Sequence, residues 1–146
     1  MRYLIIIIFF ILSCSKPNKY SLTGNVNLND DDKVFLVQMK DNRPVLIDST
    51  SVVSGEFKFS DSINFPEMHY LFFEKITGNI PFVLEPGNIK IDVYKDSLRS
   101  SKISGTKSNK DWIDYLSETQ PYTSELNNIQ IEINQSLRLG DSVLIY

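Results

Sequence analysis

The sequence predicts a mainly β protein: an antiparallel β-sandwich or open barrel, followed by a C-terminal helical segment. Two observations predict it. From Tyr20 to about Ser104, short apolar runs alternate with turn residues roughly every 8 to 12 positions, the spacing of antiparallel strands. From Ser108 onward the apolar residues recur every three or four positions, the period of a helix. Ahead of both stands an apolar leader ending at Cys14, the single cysteine, whose layout belongs to targeting and not to folding.

The leader begins Met1-Arg2, continues through the ten apolar residues Tyr3-Leu4-Ile5-Ile6-Ile7-Ile8-Phe9-Phe10-Ile11-Leu12, and reaches Ser13 and Cys14. A positive start, a short apolar core and a small residue make a secretory signal peptide. As a helix this run rises about 15 Å against a hydrocarbon core of about 30 Å, so it is too short to span. Ile11-Leu12-Ser13-Cys14 resembles the bacterial lipoprotein box. That resemblance implies a diacylglycerol on the Cys14 sulfur and removal of residues 1–13; the alternative is a general secretory signal or an uncleaved anchor. Each buried methylene contributes about 0.8 kcal/mol, so the two or three acyl chains of such lipoproteins hold a protein where one exchanges. Ser15 follows the cysteine and no acidic residue precedes Asp30. By the same resemblance the expected location is the cell envelope, lipid-anchored on the periplasmic face of the outer membrane. Residues 14–19 form a lipidated tether, polar and broken by Pro17.

In Tyr20-Ser-Leu-Thr-Gly-Asn-Val-Asn-Leu28, alternation puts Tyr20, Leu22, Val26 and Leu28 on one face, with Gly24 marking a bulge or a close approach. Asn29 to Lys33 turns the chain. Val34–Val37 and Val45–Ile47 follow, joined by a loop of Asp41, Asn42, Arg43 and Pro44. Ser54-Gly55 separates Ser51–Val53 from Glu56–Phe59 in hairpin fashion, with Phe57 and Phe59 on one face. Met68–Phe73 is apolar on both faces: Met68, Tyr70 and Phe72 point one way, Leu71 and Phe73 the other. Such a strand belongs in the middle of a sheet, with a second sheet on one side and a helix or partner on the other. Thr77-Gly-Asn79 reads as a turn before Ile80–Leu84. Glu85-Pro-Gly-Asn88 has the Pro and Gly of a type II turn, and Ile89–Val93 alternates after it.

Ser108 is placed to cap a helix, with Asp111 three residues on; Trp112, Tyr115, Leu116 and Thr119 then fall on one stripe. Pro121 interrupts. Leu126, Ile129, Ile133 and Leu137 resume the stripe, and Gly140 suits a C-terminal stop. This amphipathic segment either covers the sheet's second face or docks on another protein. The expected division is thus 1–13 signal peptide, 14–19 tether, 20–106 β-sandwich, and 107–146 a helical linker or covering segment, either complete or cut short before Val143–Tyr146 continues as a strand.

Composition excludes several functions. With 15 basic and 18 acidic residues the net charge is −3, and no basic cluster offers a footprint for phosphate backbones, which excludes nucleic acid as a partner. Acylation of Cys14 would leave no thiol for a disulfide, a thiolate metal ligand or a redox centre.

Asp48-Ser-Thr50 with Gly55–Phe59, then Ile80-Pro-Phe-Val-Leu-Glu-Pro-Gly-Asn-Ile89, then Ile103-Ser-Gly-Thr106 with Asn109, resembles the uncharacterised domain that precedes thioredoxin-like domains in many bacterial lipoproteins. The similarity covers about residues 20 to 110. It implies a helical linker leading, in longer members, to a thiol-disulfide oxidoreductase or peroxidase-like domain; the reactive cysteines of that domain have no counterpart in this sequence.

Each candidate site has a plainer reading beside it. Asp30-Asp-Asp32 supplies hard oxygen ligands but lacks the spacing, glycine and distal glutamate of an EF-hand loop, so a solvated turn is expected. His69, the only histidine, has no cysteine or second histidine for zinc and no Gly-x-Ser-x-Gly elbow for a triad; a satisfied, partly buried imidazole is expected. Glu74 and Glu85 could pair as glycosidase carboxylates, although Glu85 reads better as ordering its own turn. Tyr70, Phe72, Phe73, Phe82 and Trp112 would suit an aromatic platform for sugar or peptide, or simply a core. The expectation is therefore no catalytic residue, no cofactor, no metal, and Cys14 as the one modification site. Two functions follow. One is a lipid-anchored, non-catalytic envelope module that binds a partner protein or ligand. The other is an accessory or truncated N-terminal part of a thiol-disulfide oxidoreductase, whose partner would be the thioredoxin-like domain.

Overall fold

A computed structural model describes residues 18–139. The leader, Cys14, the start of the tether and residues 140–146, with the expected Gly140 stop and the apolar tail, lie outside the described residues. Among the described residues, strands β1 (Lys19–Val26), β2 (Lys33–Lys40), β3 (Arg43–Ser51), β4 (Glu56–Ser62), β5 (Glu67–Phe73), β6 (Ile76–Leu84), β7 (Gly87–Val93) and β8 (Lys102–Ser104) precede one long helix, α1 (Lys107–Leu139). The strands form two sheets in the orders β4-β1-β7-β8 and β3-β2-β5-β6. The fold is thus the expected sandwich and not a barrel. Neighbours pair antiparallel except β1 and β7, which run parallel.

Alternation builds the core. Tyr20, Leu22 and Val26 of β1, Phe57 and Phe59 of β4, and Ile89, Ile91 and Val93 of β7 face Val34 and Leu36 of β2, Leu71 and Phe73 of β5, and Ile80, Phe82 and Leu84 of β6. Burying each such side chain contributes about 1.5 to 3 kcal/mol, which supplies most of what holds the two sheets together. Gly24 is a close approach and not a bulge: it is opposite Phe57 in register, and a Cβ there would fall within the Phe57 ring. Phe57 in turn packs edge-on against Phe59 and Phe73, with ring centroids 6.2 and 6.0 Å away.

Several connections differ from the sequence expectation. Asp41 (φ 50°) and Asn42 (φ 58°) make a two-residue turn with both central residues left-handed, so Arg43 and Pro44 lie within β3 instead of in a loop. Pro44 is tolerated because β3 is an edge strand. Ser54 and Gly55 do turn the chain, and Val53 and Glu56 bond each other across it (2.8 and 3.0 Å). The strands then diverge, however, β3 joining one sheet and β4 the other, so this is a crossing between layers and not a hairpin. Thr77-Gly-Asn79 lies inside β6, where Thr77 and Gly78 fall at an irregularity of register; the turn falls at Glu74-Lys75, and the Lys75 ammonium lies 2.5 Å from buried Asp32.

Helix α1 starts at Lys107, so Thr106, not Ser108, precedes it, and the Thr106 carbonyl accepts the first helical bond from the Lys110 amide (3.2 Å). It passes through Pro121 without ending. A proline removes one backbone bond and strains the preceding turn, a cost of about 3 kcal/mol that disfavours but does not forbid an internal site. The helix touches β6 and β8, the edge strands on one side of the sandwich, and its side chains from Gln120 to Gln135 are all exposed. It closes the side of the sandwich with its first turns and does not cover the second face of a sheet.

Candidate functional site

The outward face of the β3-β2-β5-β6 sheet is apolar where the exposed side of an antiparallel sheet is usually polar. Strand β5 lies between β2 and β6, as the two-faced pattern of Met68–Phe73 requires. Its buried face carries His69, Leu71 and Phe73; Met68, Tyr70 and Phe72 point outward and are half-buried. Register sets their neighbours. Phe35 stands opposite Phe72 and Val37 opposite Tyr70 on one side, while Val83 and Pro81 stand opposite Met68 and Tyr70 on the other. Leu46 of β3 extends the patch beside Val37 and is 58 % exposed.

Beside this face, α1 is fastened to the free edge of β6. The Val83 amide donates to Asn109 Oδ1 (2.9 Å) and Asn109 Nδ2 donates to the Val83 carbonyl (2.7 Å) and to Thr106 Oγ1 (2.8 Å). Asn109, fully buried, thereby acts as one residue of a missing neighbouring strand and closes an edge that would otherwise invite pairing. Glu85 accepts from both the Ser108 amide and the Ser108 hydroxyl, each at 2.8 Å. A carboxylate here satisfies free amides of the first turn and complements the positive helix end. The backbone is shaped to fit: Gly87 (φ 132°) and Gly105 (φ 104°) occupy conformations unfavourable to other residues, and a Cβ on Gly105 would strike the Asn88 carbonyl. The segment Leu84–Asn88 and the segment Ile103–Asn109, far apart in sequence, are thus the two halves of one latch.

The sequence candidates separate accordingly. Glu74 and Glu85 lie at opposite ends of β6, about 30 Å apart at strand rise, far beyond the spacing of glycosidase carboxylates, about 5 to 9.5 Å. Glu85 orders the helix start and not its own turn. Asp30 accepts from the Ser54 amide (2.7 Å), and Asp32 is buried, accepting from the Asn29 amide (3.2 Å) and pairing with Lys75, whose ammonium is held above its ordinary range by that bond. The Asp32 carboxylate is therefore spent inside the fold, and the triplet is not a simple solvated turn. Among the described residues no three His, Cys, Asp or Glu side chains are grouped to hold a metal ion. His69 is 3 % exposed, its Nδ1 donating to the Glu67 carbonyl (3.2 Å), and burial pushes the imidazole below its ordinary range. The aromatic set is split as well. Phe73 and Phe82 are core, Tyr70 and Phe72 point outward, and Trp112 stacks on Tyr115 with centroids 5.8 Å apart.

A sequence reading did not find the Asn109 edge clasp, the Asp32–Lys75 pair or the reach of the patch onto Leu46. The one available signal was that Glu85 and Asn109 both lie in the quoted family motif. A groove between β8 and α1, lined by Ile103, Thr106 and Ile113, carries two lysines, Lys107 and Lys110, each paired with an aspartate one helical turn on. Among the described residues no helix is long and apolar enough to cross a membrane.

A two-sheet sandwich whose motif residues fasten a projecting helix defines a β-sandwich module with an edge-latched helix. Residues 20–112 match the family described as Domain of unknown function (DUF4369), and the chain belongs to that family. No curated protein matches the chain closely enough to count as a relative.

Proposed function

We propose that this chain is a lipid-anchored, non-catalytic module of the cell envelope that holds a partner protein against the outward face of the β3-β2-β5-β6 sheet. The observation that carries the reading is the apolar outward face formed by half-buried Phe35, Met68, Tyr70 and Phe72 around buried Val37, edged by exposed Leu46. Contiguous apolar surface edged by polar residues marks interaction sites in soluble domains, and aromatic and methionine side chains are enriched at interface centres. The anchor would be acyl chains on Cys14, on the periplasmic face of the outer membrane, as the lipoprotein-like leader implies. The tether would leave the sandwich free to meet its partner close to the bilayer.

The test is a photo-crosslinking side chain at Leu46 in the lipidated protein of intact cells, compared with the same group at Lys58 on the other sheet. A discrete adduct from Leu46 alone is expected. Equal labelling from both positions, or none from Leu46, would refute the patch. Loss of the acylated N-terminal peptide from the mass spectrum, and release from membranes, is expected in Cys14→Ala; unchanged membrane retention of that variant would refute the anchor.

A second reading is favoured by the family motif: the partner is a thioredoxin-like oxidoreductase domain, encoded beyond Tyr146 or by a neighbouring gene. Sequencing the surrounding DNA tests it, since a Cys-x-x-Cys frame there supports this partner and unrelated neighbours oppose it.

A further inference from the structure

The residues next to Cys14 decide which end of the sandwich meets the bilayer. Cys14 stands four residues ahead of Asn18, the first described residue, and four residues reach at most about 14 Å. Headgroups occupy roughly 5 to 8 Å of each leaflet outside the hydrocarbon core, so acyl chains on Cys14 would hold Asn18 close to the headgroup layer.

Asn18 is in turn fastened to the loop between β4 and β5. Its carbonyl accepts from the Ile63 amide (2.7 Å), and its Nδ2 donates to Asn64 Oδ1 (3.4 Å). Ile63 is half-buried against the core, which ties this loop to the sandwich. Phe65, two residues on, is left outside the core. At 72 % it is the most exposed large apolar side chain among the described residues. A lone exposed phenylalanine on a soluble domain needs no explanation, but this one is carried by the loop that the anchored segment grips. Phenylalanine side chains enter the boundary between headgroups and acyl chains. Because the anchor keeps the ring nearby, insertion is an intramolecular step at high effective concentration, and one ring suffices where a free domain would need several. At the same end, exposed Lys19, Lys40 and Arg43 balance Asp41, Asp61 and Glu67, so no net charge repels the headgroups.

We infer that Phe65 inserts into the headgroup region of the bilayer that holds the acyl chains of Cys14, standing the sandwich on the end formed by Lys19, Ser62 and Gly87. The strands then rise from the membrane, and the outward face of β3-β2-β5-β6 stands upright and open to a partner. This inference rests on the acylation of Cys14 and is independent of the contact at the sheet face.

The test uses the lipidated full chain in vesicles of phosphatidylethanolamine and phosphatidylglycerol, whose acyl chains carry bromine to quench indole fluorescence on contact. Trp112, the only tryptophan, is first removed as Trp112→Phe; its indole N–H has no acceptor, so no hydrogen bond is lost. Phe65→Trp is then compared with Val53→Trp. Val53 is similarly exposed (63 %) but is bridged to Glu56, which stands opposite Asn25 at the far end of β1, about 20 Å from Lys19 at strand rise. A loss of emission and a blue shift are expected from Phe65→Trp, and neither from Val53→Trp. Vesicle flotation separates the two ways to fail. Protein that floats but is quenched equally at both positions, or not at all at Phe65→Trp, would overturn the docking and leave the anchor standing. Protein that does not float would remove the anchor and the docking with it.

Discussion

At the residue scale, single contacts decide what each position tolerates. Gly24 is required by the Phe57 ring and not by its own backbone, so Gly24→Ala forces that ring or β1 to move; overpacking of this kind costs about 1 to 3 kcal/mol. Urea unfolding should show that loss, and Phe57→Leu should recover part of it in the double variant, because the two residues share one space. Simple additivity of the two changes would mean that the clash is not the cause. His69 makes stability depend on pH in a set direction. The unfolded imidazole takes its proton near pH 6.5, and the folded one, buried, takes it only at lower pH. Between those values the unfolded chain binds more protons, so the contribution is full above about pH 6.5 and is lost as pH falls towards the folded value, below which it stays flat. Subtracting the stability profile of His69→Gln from that of the parent should isolate this slope; parallel profiles would show that His69 does not titrate differently on folding.

At the element scale, the latch decides where α1 goes. Asn109→Ala leaves the Val83 amide and carbonyl without partners, and an orphaned buried polar group costs about 1 to 3 kcal/mol. We expect a lowered unfolding midpoint and faster amide exchange in the first turns of α1, against a change within about 0.5 kcal/mol for Ser124→Ala on the exposed helix face. Slow exchange retained in those turns of Asn109→Ala would show that Glu85 alone suffices. The period change near Ser108 revealed the helix, but Glu85 and Asn109 lie 23 and 26 residues from their partners, Ser108 and Val83. Local pattern carries no information about such pairs. The same limit misplaced the Thr77–Asn79 turn: glycine signals a local irregularity, while the turn at Glu74-Lys75 follows from a cross-strand register that puts Phe73 opposite Ile76 and Phe72 opposite Asn79.

At the scale of the whole molecule, two phenylalanines of similar local setting separate by which side of the sheet they face. Phe82 is fully buried between the sheets, and Phe82→Ala should cost about 3 to 5 kcal/mol. Phe72 faces outward, so Phe72→Ala should cost less than half of that while abolishing the Leu46 photo-adduct. Equal losses of stability would mean that the outward face is core, and unchanged labelling would remove Phe72 from the contact. The sequence by itself determined the mainly β class, most strand positions, the two-faced character of β5, the amphipathic helix and membership in a family whose motif it carries, because these depend on alternation, period and turn residues that act over a few positions. Only the tertiary structure decided which strands share a sheet, which face of β5 meets the core, and that α1 is clasped at the β6 edge and projects. Those outcomes depend on register and on hydrogen bonds between segments distant in sequence, and a one-residue slip of register would send every side chain of a strand to the opposite face.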